Sequence, residues 1–222
     1  TERNIITVED PIEYDLKGIG QIQVNPKIGL TFASGLRSIL RQDPDVVMVG
    51  EIRDKETAEI AIQASLTGHF VLASIHTNDA PGAITRLIDM GVEPFLVASS
   101  LLAVLAQRLI RKVCQNCVEL YTPTAVELKN LGLDPAAFGG QKISRVRGCA
   151  ECSGTGYRGR MVVHELMVMD DDIRALIMER TDANIIKKAA ESKGMVSLRK
   201  NGIQKVLEGA TTAIELASVT QE

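Results

Sequence analysis

The sequence predicts an α/β protein: a core built on a parallel sheet, a small four-cysteine subdomain and a helical C-terminal domain. Three observations support this division. Short apolar runs alternate with amphipathic segments between residues 4 and 110, which is typical of β-α-β units. Two C-x-x-C pairs follow, and the last third of the chain has helical periodicity. The predicted boundaries are 1–111, 112–160 and 161–222.

The composition allows a sizeable aliphatic core and argues against two classes of partner. The chain has 222 residues, of which 45% are hydrophobic and only 3% aromatic. Its formal net charge of −3 provides no basic field for nucleic acid. The longest apolar stretch, 95–106, is too short to span a bilayer. The chain starts within a predicted strand, and we therefore expect it to be a piece of a longer protein.

The first predicted strand is 4–8, and acids cluster just beyond its end. Glu9, Asp10 and Glu13 follow the strand, which Pro11 stops. A solvated turn is the ordinary explanation for such acids. The segment 14–30 looks irregular, apart from a short strand at 21–24.

A helix is predicted from Thr31, which can cap it, through Arg41. Apolar residues recur along it at helical spacing. Arg37 and Arg41 lie four residues apart and share a side of this helix. They form either a solvated face or part of a ligand site.

The strand around which the chain is organised is Val46–Val49. Four apolar residues without interruption are typical of a strand buried on both faces of a parallel sheet. Glu51, Arg53 and Asp54 follow at its carboxyl end, where ligands bind in open α/β sheets. An acid at this edge suits a hydrolase that orders Mg²⁺ and water. The alternative is a helix-capping acid after an ordinary core strand.

Another helix and strand, predicted at 55–66 and 69–75, lead to a histidine. His76 comes at the same edge as the acids that follow the two earlier strands, whereas His69 comes at the opposite end and is predicted to be structural. Convergence of acids and a histidine on one edge supports a functional site there. Beyond it, helices are predicted from Asp79 to Met90 and over 95–111, the second as core or subunit interface.

The four cysteines form two C-x-x-C pairs with no cysteine to spare. Cys114 pairs with Cys117 and Cys149 with Cys152, and each pair can place two thiolates on one tetrahedral metal ion. We predict structural Zn²⁺ that closes a subdomain over about 111–160. Disulfides, a redox pair or small buried hydrophobic residues are the alternatives. The 31-residue spacer holds its own helix, near 124–131.

The segment 154–159 matches G-x-G-x-x-G, but no strand precedes it and no helix follows, so a dinucleotide site is rejected. Its glycines are predicted to form turns beside the metal. A short strand is predicted at 160–169, with His164 structural. The remaining predicted elements are helices, at 170–180, 182–193, 197–207 and from Thr212 onward.

Together these motifs resemble the secretion ATPase superfamily that drives type II secretion and type IV pilus assembly. I-T-V-E-D-P-I-E at 6–13 is similar to its Asp box, 35–54 to its Walker B segment and 67–80 to its His box. The four cysteines and the segment 198–212 extend the resemblance over essentially the whole chain. E-Y-D-L-K-G-I-G-Q at 13–21 favours the type II secretion assembly ATPase over the pilus one.

The resemblance implies a RecA-like core, a homo-hexameric ring, ATP with Mg²⁺, and cytoplasmic work against inner-membrane platform proteins, without a membrane span. It implies that Glu13 polarises the attacking water, that Glu51 holds Mg²⁺ through water and that His76 senses the γ-phosphate. Arg37 and Arg41 match arginines near a subunit interface. The other residues expected near the nucleotide and Mg²⁺ are Glu9, Asp10, Arg53 and Asp54.

The chain departs from the family in having no G-x-x-x-x-G-K-[ST] motif. In the family this P-loop precedes the Asp box, so we expect it upstream of Thr1 and expect the chain alone to be inactive. Two rivals remain: a zinc-containing docking scaffold without activity, and a metal-dependent hydrolase with Glu51, His69 and His76 as ligands.

Overall fold

The computed structural model describes residues 2–220, and the chain forms two compact units. One unit holds the chain up to Val104 together with Met167–Ser192; the other holds Leu105–Leu166 and the chain from Lys193 onward. The three-part division at 111 and 160 stays a prediction. Of the helices that come after the last cysteine, those before Lys193 therefore belong to the first unit and those after it to the second.

The four strands up to Ala73 begin and end close to their predicted positions, whereas the two short strands between Val118 and Val146 were not predicted. Eight strands lie in the described residues. They are β1 (Ile5–Glu9), β2 (Gly20–Gln23), β3 (Val46–Val49), β4 (Phe70–Ala73), β5 (Ala103–Val113), β6 (Val118–Tyr121), β7 (Ile143–Val146) and β8 (Tyr157–Val168). The helices are α1 (Phe32–Ile39), α2 (Lys55–Leu66), α3 (Ala80–Asp89), α4 (Pro94–Ser100), α5 (Ala125–Leu131), α6 (Asp171–Met178), α7 (Ala183–Ser192), α8 (Leu198–Leu207) and α9 (Ala213–Val219). Short 3-10 helices occur at Pro26–Ile28 and Ala150–Cys152.

The first unit is built on a parallel sheet in the order β2-β1-β3-β4. Val8 of β1 lies beside Val49 of β3, and Val49 lies beside Ala73 of β4. The three strands therefore end at the same level, and the predicted α/β fold with a parallel sheet is confirmed. Val47 and Val49 are fully buried, as expected for an uninterrupted apolar strand.

Three helices of this unit begin where the sequence supplies a side-chain cap. Thr31, Asp54 and Asp79 each accept a hydrogen bond from a backbone N–H of the first turn of α1, α2 and α3. Helix α1 presents an apolar side to the sheet, where Leu36 and Ile39 are completely buried. These contacts fix the helices that flank the carboxyl edge of the sheet.

The prediction of one helix over 95–111 is wrong. Helix α4 ends at Ser100, and the long strand β5 begins at Ala103. Burial along β5 alternates, with Ala106 and Ile110 buried between exposed neighbours. An apolar run of this kind is compatible with either a helix or a strand, and pairing with β8 decides in favour of the strand. Strand β8 is itself longer than predicted, at 12 residues.

The second unit has its own hydrophobic core. Strands β6 and β7 pair antiparallel, and α5, α8 and α9 contribute the remaining apolar side chains. The buried residues at its centre are Leu131, Ile143, Val206 and Leu216. Across residues 2–220, no helix combines the length and apolar character that crossing a bilayer requires.

Candidate functional site

The carboxyl edge of the parallel sheet is held together by backbone hydrogen bonds between neighbouring strand ends. The Gly50 N–H donates to the Val8 carbonyl at 2.8 Å, and the Ile52 N–H donates to the Ser74 carbonyl at 2.8 Å. A Cβ at Gly50 would lie 3.1 Å from the Val8 oxygen and 3.2 Å from the Cα of Glu9. The segments that follow β1, β3 and β4 therefore leave the sheet side by side.

Glu51 joins residues from all three segments. The Nε2 atom of His76 lies 3.0 Å from one carboxylate oxygen of Glu51, and Arg53 donates to the other. Arg53 also lies 3.6 Å from the Asp10 carboxylate. The side chain of Glu51 is 14% exposed, whereas that of His76 is 89% exposed. The structure thus brings together four of the predicted residues, as two carboxylates, one guanidinium and one imidazole.

These contacts keep Glu51 ionised. Its hydrogen bond from Arg53 is the largest influence and lowers the pKa of the carboxyl below its usual value. Burial opposes this effect, and the hydrogen bond with His76 adds to it. Reciprocally, Glu51 raises the pKa of the Arg53 guanidinium. An anionic oxygen at a strand edge is suited to attract a hydrated divalent cation.

Glu9 is held by residues that the sequence analysis did not single out. Its carboxylate accepts hydrogen bonds from the Thr7 hydroxyl and, at 2.9 Å, from the side-chain amide of Gln21. The Gln21 amide also donates to the Tyr14 carbonyl at 3.0 Å. Gln21 therefore ties the acid segment after β1 to strand β2. Gln21 lies opposite Thr7 in the β1–β2 pair, and this position would have indicated its contact with Glu9. The position is known, however, only once β2 is known to pair with β1.

The remaining predicted residues are placed elsewhere around this edge. Glu13 is exposed in the segment between β1 and β2. Asp54 caps α2 through the Thr57 N–H at 2.8 Å, so the alternative of a helix-capping acid describes Asp54 but not Glu51. Arg37 pairs with Glu56 at 2.5 Å. Exposed Arg41 has a guanidinium nitrogen 3.5 Å from the Ser38 hydroxyl.

His69 lies at the amino end of β4, away from the site. Its ring Nδ1 is 3.0 Å from the Ala64 carbonyl and 3.2 Å from the Thr67 hydroxyl, both at the end of α2. This is the structural setting that the sequence predicted for it. The geometry gives no support to a metal site shared by His69, His76 and Glu51.

The four cysteine sulfurs come together in the second unit, all within 4.8 Å of one another. The Sγ atoms of Cys114 and Cys149 are 3.9 Å apart, those of Cys117 and Cys152 are 3.9 Å apart, and those of Cys149 and Cys152 are 3.6 Å apart. Zn–S bonds of 2.3 Å in a tetrahedron place sulfurs about 3.8 Å apart. A disulfide would require about 2.05 Å. The donor set therefore fits one tetrahedral metal ion.

Two backbone N–H groups donate to the Cys152 sulfur and favour its thiolate form. Burial acts to raise the pKa of Cys152, yet N–H groups of Cys149 and Gly156, each 3.1 Å from its sulfur, lower it to about 6. Burial raises the pKa of Cys117 to about 11. Gly154 and Gly156 have positive φ in the turn that follows Cys152, as predicted, whereas Gly159, also with positive φ, lies within β8.

An ion pair between the exposed side chain of Arg111 and the buried carboxylate of Glu215 lies close to the cysteines in sequence. Glu215 on α9 accepts two hydrogen bonds from the Arg111 side chain and one, at 2.9 Å, from the Arg111 N–H. The guanidinium stacks on the Tyr157 ring at 4.1 Å, and the Tyr157 hydroxyl is 2.7 Å from that of Thr212. This network fastens α9 to β5 and β8, three residues before Cys114.

Solved structures share this fold. The pilus retraction motor PilT with bound ADP matches with a TM-score of 0.70 and 26% identity, covering 99% of this chain and 53% of that one. The ATPase DotB of Legionella pneumophila matches with a TM-score of 0.65 and 20% identity, covering 98% of this chain and 51% of that one. The second likeness concerns the fold alone.

Curated proteins match over the whole chain at higher identity. Type II secretion system protein E of Pseudomonas aeruginosa is 59% identical over 99% of this chain and 43% of its own length. The type IV pilus assembly ATPase PilB of Thermus thermophilus is 52% identical over 100% of this chain and 25% of its length. The chain thus spans less than half of these relatives.

A family model extends over nearly the entire sequence. The model described as "Type II/IV secretion system protein" matches residues 1–219. Its range includes the Glu51 edge and the four cysteines. By this match, the chain belongs to the type II/IV secretion system protein family.

Proposed function

We propose that this chain is the C-terminal part of a hexameric ATPase that hydrolyses ATP to power type II protein secretion, through assembly of a pseudopilus at the bacterial inner membrane. The observation that carries the proposal is the junction of Glu51 with His76 and Arg53 at the carboxyl edge of the sheet. Relatives named type II secretion system protein E and type II secretion system ATPase E support the choice of process.

The proposed chemistry follows from what each side chain can do. Phosphoryl transfer depends mainly on positioning and on electrostatic stabilisation of the reacting phosphate. Glu51, whose pKa is lowered chiefly by Arg53, would hold Mg²⁺ through water. Mg²⁺ supplies neutralisation of phosphate charge when bound. His76, largely exposed, would orient around the γ-phosphate, and Glu13 would polarise the attacking water.

The phosphate-binding loop of the intact protein would lie beside β4. This strand is the last of the parallel sheet within residues 2–220, and Phe70 and Leu72 on it are 46% and 48% exposed. Large apolar side chains on an edge strand suit further structure that covers them. Without the backbone N–H groups and lysine of a P-loop, the 222-residue chain should hydrolyse little ATP.

We also propose that the protein acts in the cytoplasm together with membrane platform proteins. The net charges of the two units indicate which unit would bind such a protein. The first unit has 12 Lys and Arg against 20 Asp and Glu, a net charge of −8. The second has 13 against 8, a net charge of +5. The second unit, which holds the four cysteines, would therefore attract an acidic surface of such a platform protein. Zn²⁺ held by the four cysteines would keep this unit folded.

The decisive experiment measures ATP hydrolysis by a protein extended upstream through its P-loop. Glu51→Gln should lower turnover by about 10²-fold, because the lost charge acts in the transition state. Glu59→Gln, on the exposed side of α2, is the matched control and should retain turnover. Turnover that survives Glu51→Gln would contradict the assigned site. No turnover in the zinc-loaded hexamer would favour a docking scaffold instead.

A type IV pilus assembly ATPase is the second candidate. The 52% identity to PilB of Thermus thermophilus favours it. Both candidates predict the same hydrolysis, so the discriminating experiment is complementation. Restoration of protein export in a strain that lacks its own type II secretion ATPase supports the first candidate, and restoration of pili in a pilus-deficient strain supports the second.

A further inference from the structure

We propose that Lys187, on α7, is a positioning residue for His76. The proposal rests on the proposed function, because it concerns how His76 is held at the edge where ATP would be hydrolysed. Lys187 does not touch Glu51 or His76 itself. It acts on Asp79, which ends the segment that carries the imidazole.

His76 is not held in place by packing. Its side chain is 89% exposed, although its Nε2 atom lies 3.0 Å from Glu51. An exposed side chain with freely rotating bonds pays conformational entropy to keep one such contact. The position of the imidazole therefore depends on how firmly the backbone of 74–79 is anchored.

The amino end of that segment is anchored to the sheet. The Ser74 N–H donates to the Val49 carbonyl at 3.3 Å, and the Ser74 hydroxyl donates to the Gly50 carbonyl. Both partners belong to β3 or to the residue that follows it. This anchor and Glu51 thus come from the same part of the chain.

The carboxyl end of the segment is anchored through Asp79, whose two oxygens have different partners. One accepts the Gly82 N–H at 2.9 Å and so caps α3. The other lies 3.6 Å from the Lys187 ammonium. The Thr77 hydroxyl donates to the Asp79 backbone carbonyl at 3.0 Å, which ties the residue after His76 to the same anchor.

The ion pair is well placed to act as an anchor. The side chains of Lys187 and Asp79 are only 21% and 29% exposed, so solvent screens their attraction less than that of a surface pair. Ile186 is fully buried and Ala190 is buried, and these two residues fix the face of α7 next to Lys187. Helix α7 packs on α3, so the lysine arrives from a packed helix.

The first test uses the extended protein with its P-loop. Lys187→Ala should lower kcat about fivefold while the KM for ATP stays nearly constant, because the substrate contacts are intact and only a positioned group is loosened. Lys187→Arg keeps a cation at this place and should restore most of the rate. Lys188→Ala removes an exposed neighbouring cation of the same helix and should leave kcat unchanged.

The second test needs no activity. Backbone amide hydrogen exchange over 74–82 should be faster in Lys187→Ala than in the wild type or in Lys188→Ala. Unchanged exchange there would overturn the proposal, and so would faster exchange with an unaltered kcat. If the wild-type extended protein hydrolyses no ATP, the proposed function fails and the role of Lys187 in hydrolysis fails with it, while exchange still reports whether Lys187 anchors the segment.

Discussion

Both carboxylate oxygens of Glu51 are engaged, one with Arg53 and the other with the imidazole of His76 at 3.0 Å. The arginine and histidine reach the acid from separate places, one two residues along the chain and the other from beyond the neighbouring strand. Glu51 is therefore the point at which the ends of β3 and β4 are tied together. Replacing either Arg53 or His76 should therefore change the pKa of the Glu51 carboxyl group.

Replacing Arg53 by alanine should raise the pKa of Glu51. The hydrogen bond from Arg53 is the largest influence that lowers this pKa, so its loss returns the value toward the usual 4.5. The ionised form that suits cation binding would then be lost at a higher pH than in the wild type. Titration of the Glu51 carboxyl by carbon-13 NMR measures the shift, with Lys55→Ala, an exposed cation nearby, as control. Equal midpoints in wild type and Arg53→Ala would show that the contact has no electrostatic effect.

The cysteine centre should hold about one zinc ion per chain, as four thiolates in a tetrahedron require. Cys152→Ser removes the sulfur that accepts the N–H groups of Cys149 and Gly156 and should abolish stoichiometric zinc. Glu151→Gln alters an exposed residue of the same C-x-x-C segment and should keep it. Elemental analysis of the purified proteins measures the metal content. Wild-type protein without zinc, or full occupancy in Cys152→Ser, would contradict the assignment.

Glu215 should stabilise the second unit in a pH-dependent way. Arg111 lowers the pKa of this carboxyl in the folded state, which means that the folded protein favours the ionised form. Its contribution is therefore fully present above pH 4.5, the ordinary value for the unfolded chain, and is lost as the pH falls through the lower folded pKa.

The test compares urea unfolding of Glu215→Gln with that of the wild type. At neutral pH the variant should lose about 1–3 kcal/mol, the scale for a buried hydrogen-bonded charge. The difference should shrink as the pH is lowered below 4.5. Glu208→Gln, which breaks a solvent-screened pair with Lys205, should change the free energy of unfolding far less than Glu215→Gln does. A pH-independent difference for Glu215→Gln would mean that packing, and not charge, explains the loss.

The sequence was sufficient wherever local signals agreed with the tertiary environment. The apolar run Val46–Val49 and the cap at Asp54 predicted β3 and α2 with their observed bounds. Strand ends in a parallel sheet necessarily share an edge, so the meeting of Glu51 and His76 also followed from chain order. The cysteine spacing likewise predicted the cluster of sulfurs.

Features that depend on distant pairing were not predictable in this way. The strand β5 looked helical because its alternating burial arises only when β8, far along the sequence, pairs with it. Gln21 gave no local sign of its bond to Glu9, since that contact exists only because β2 lies beside β1. The role of Lys187 had no local signal either, because its partner Asp79 caps another helix, far away in sequence.

The course of the chain through the two compact units decides which truncations and internal deletions the fold can accept. Residues 105–166 form an insert between two stretches of a single unit, so truncation after 104 would also discard α6 and α7. An internal excision would preserve them. The Met169 N–H donates to the Leu102 carbonyl at 3.0 Å, so the two ends that remain are one hydrogen bond apart and a short linker can join them. The insert is only part of the second unit, because α8 and α9 supply Val206 and Leu216 to its core. An exchange between relatives would therefore have to replace residues 105–166 together with the chain after Ser192.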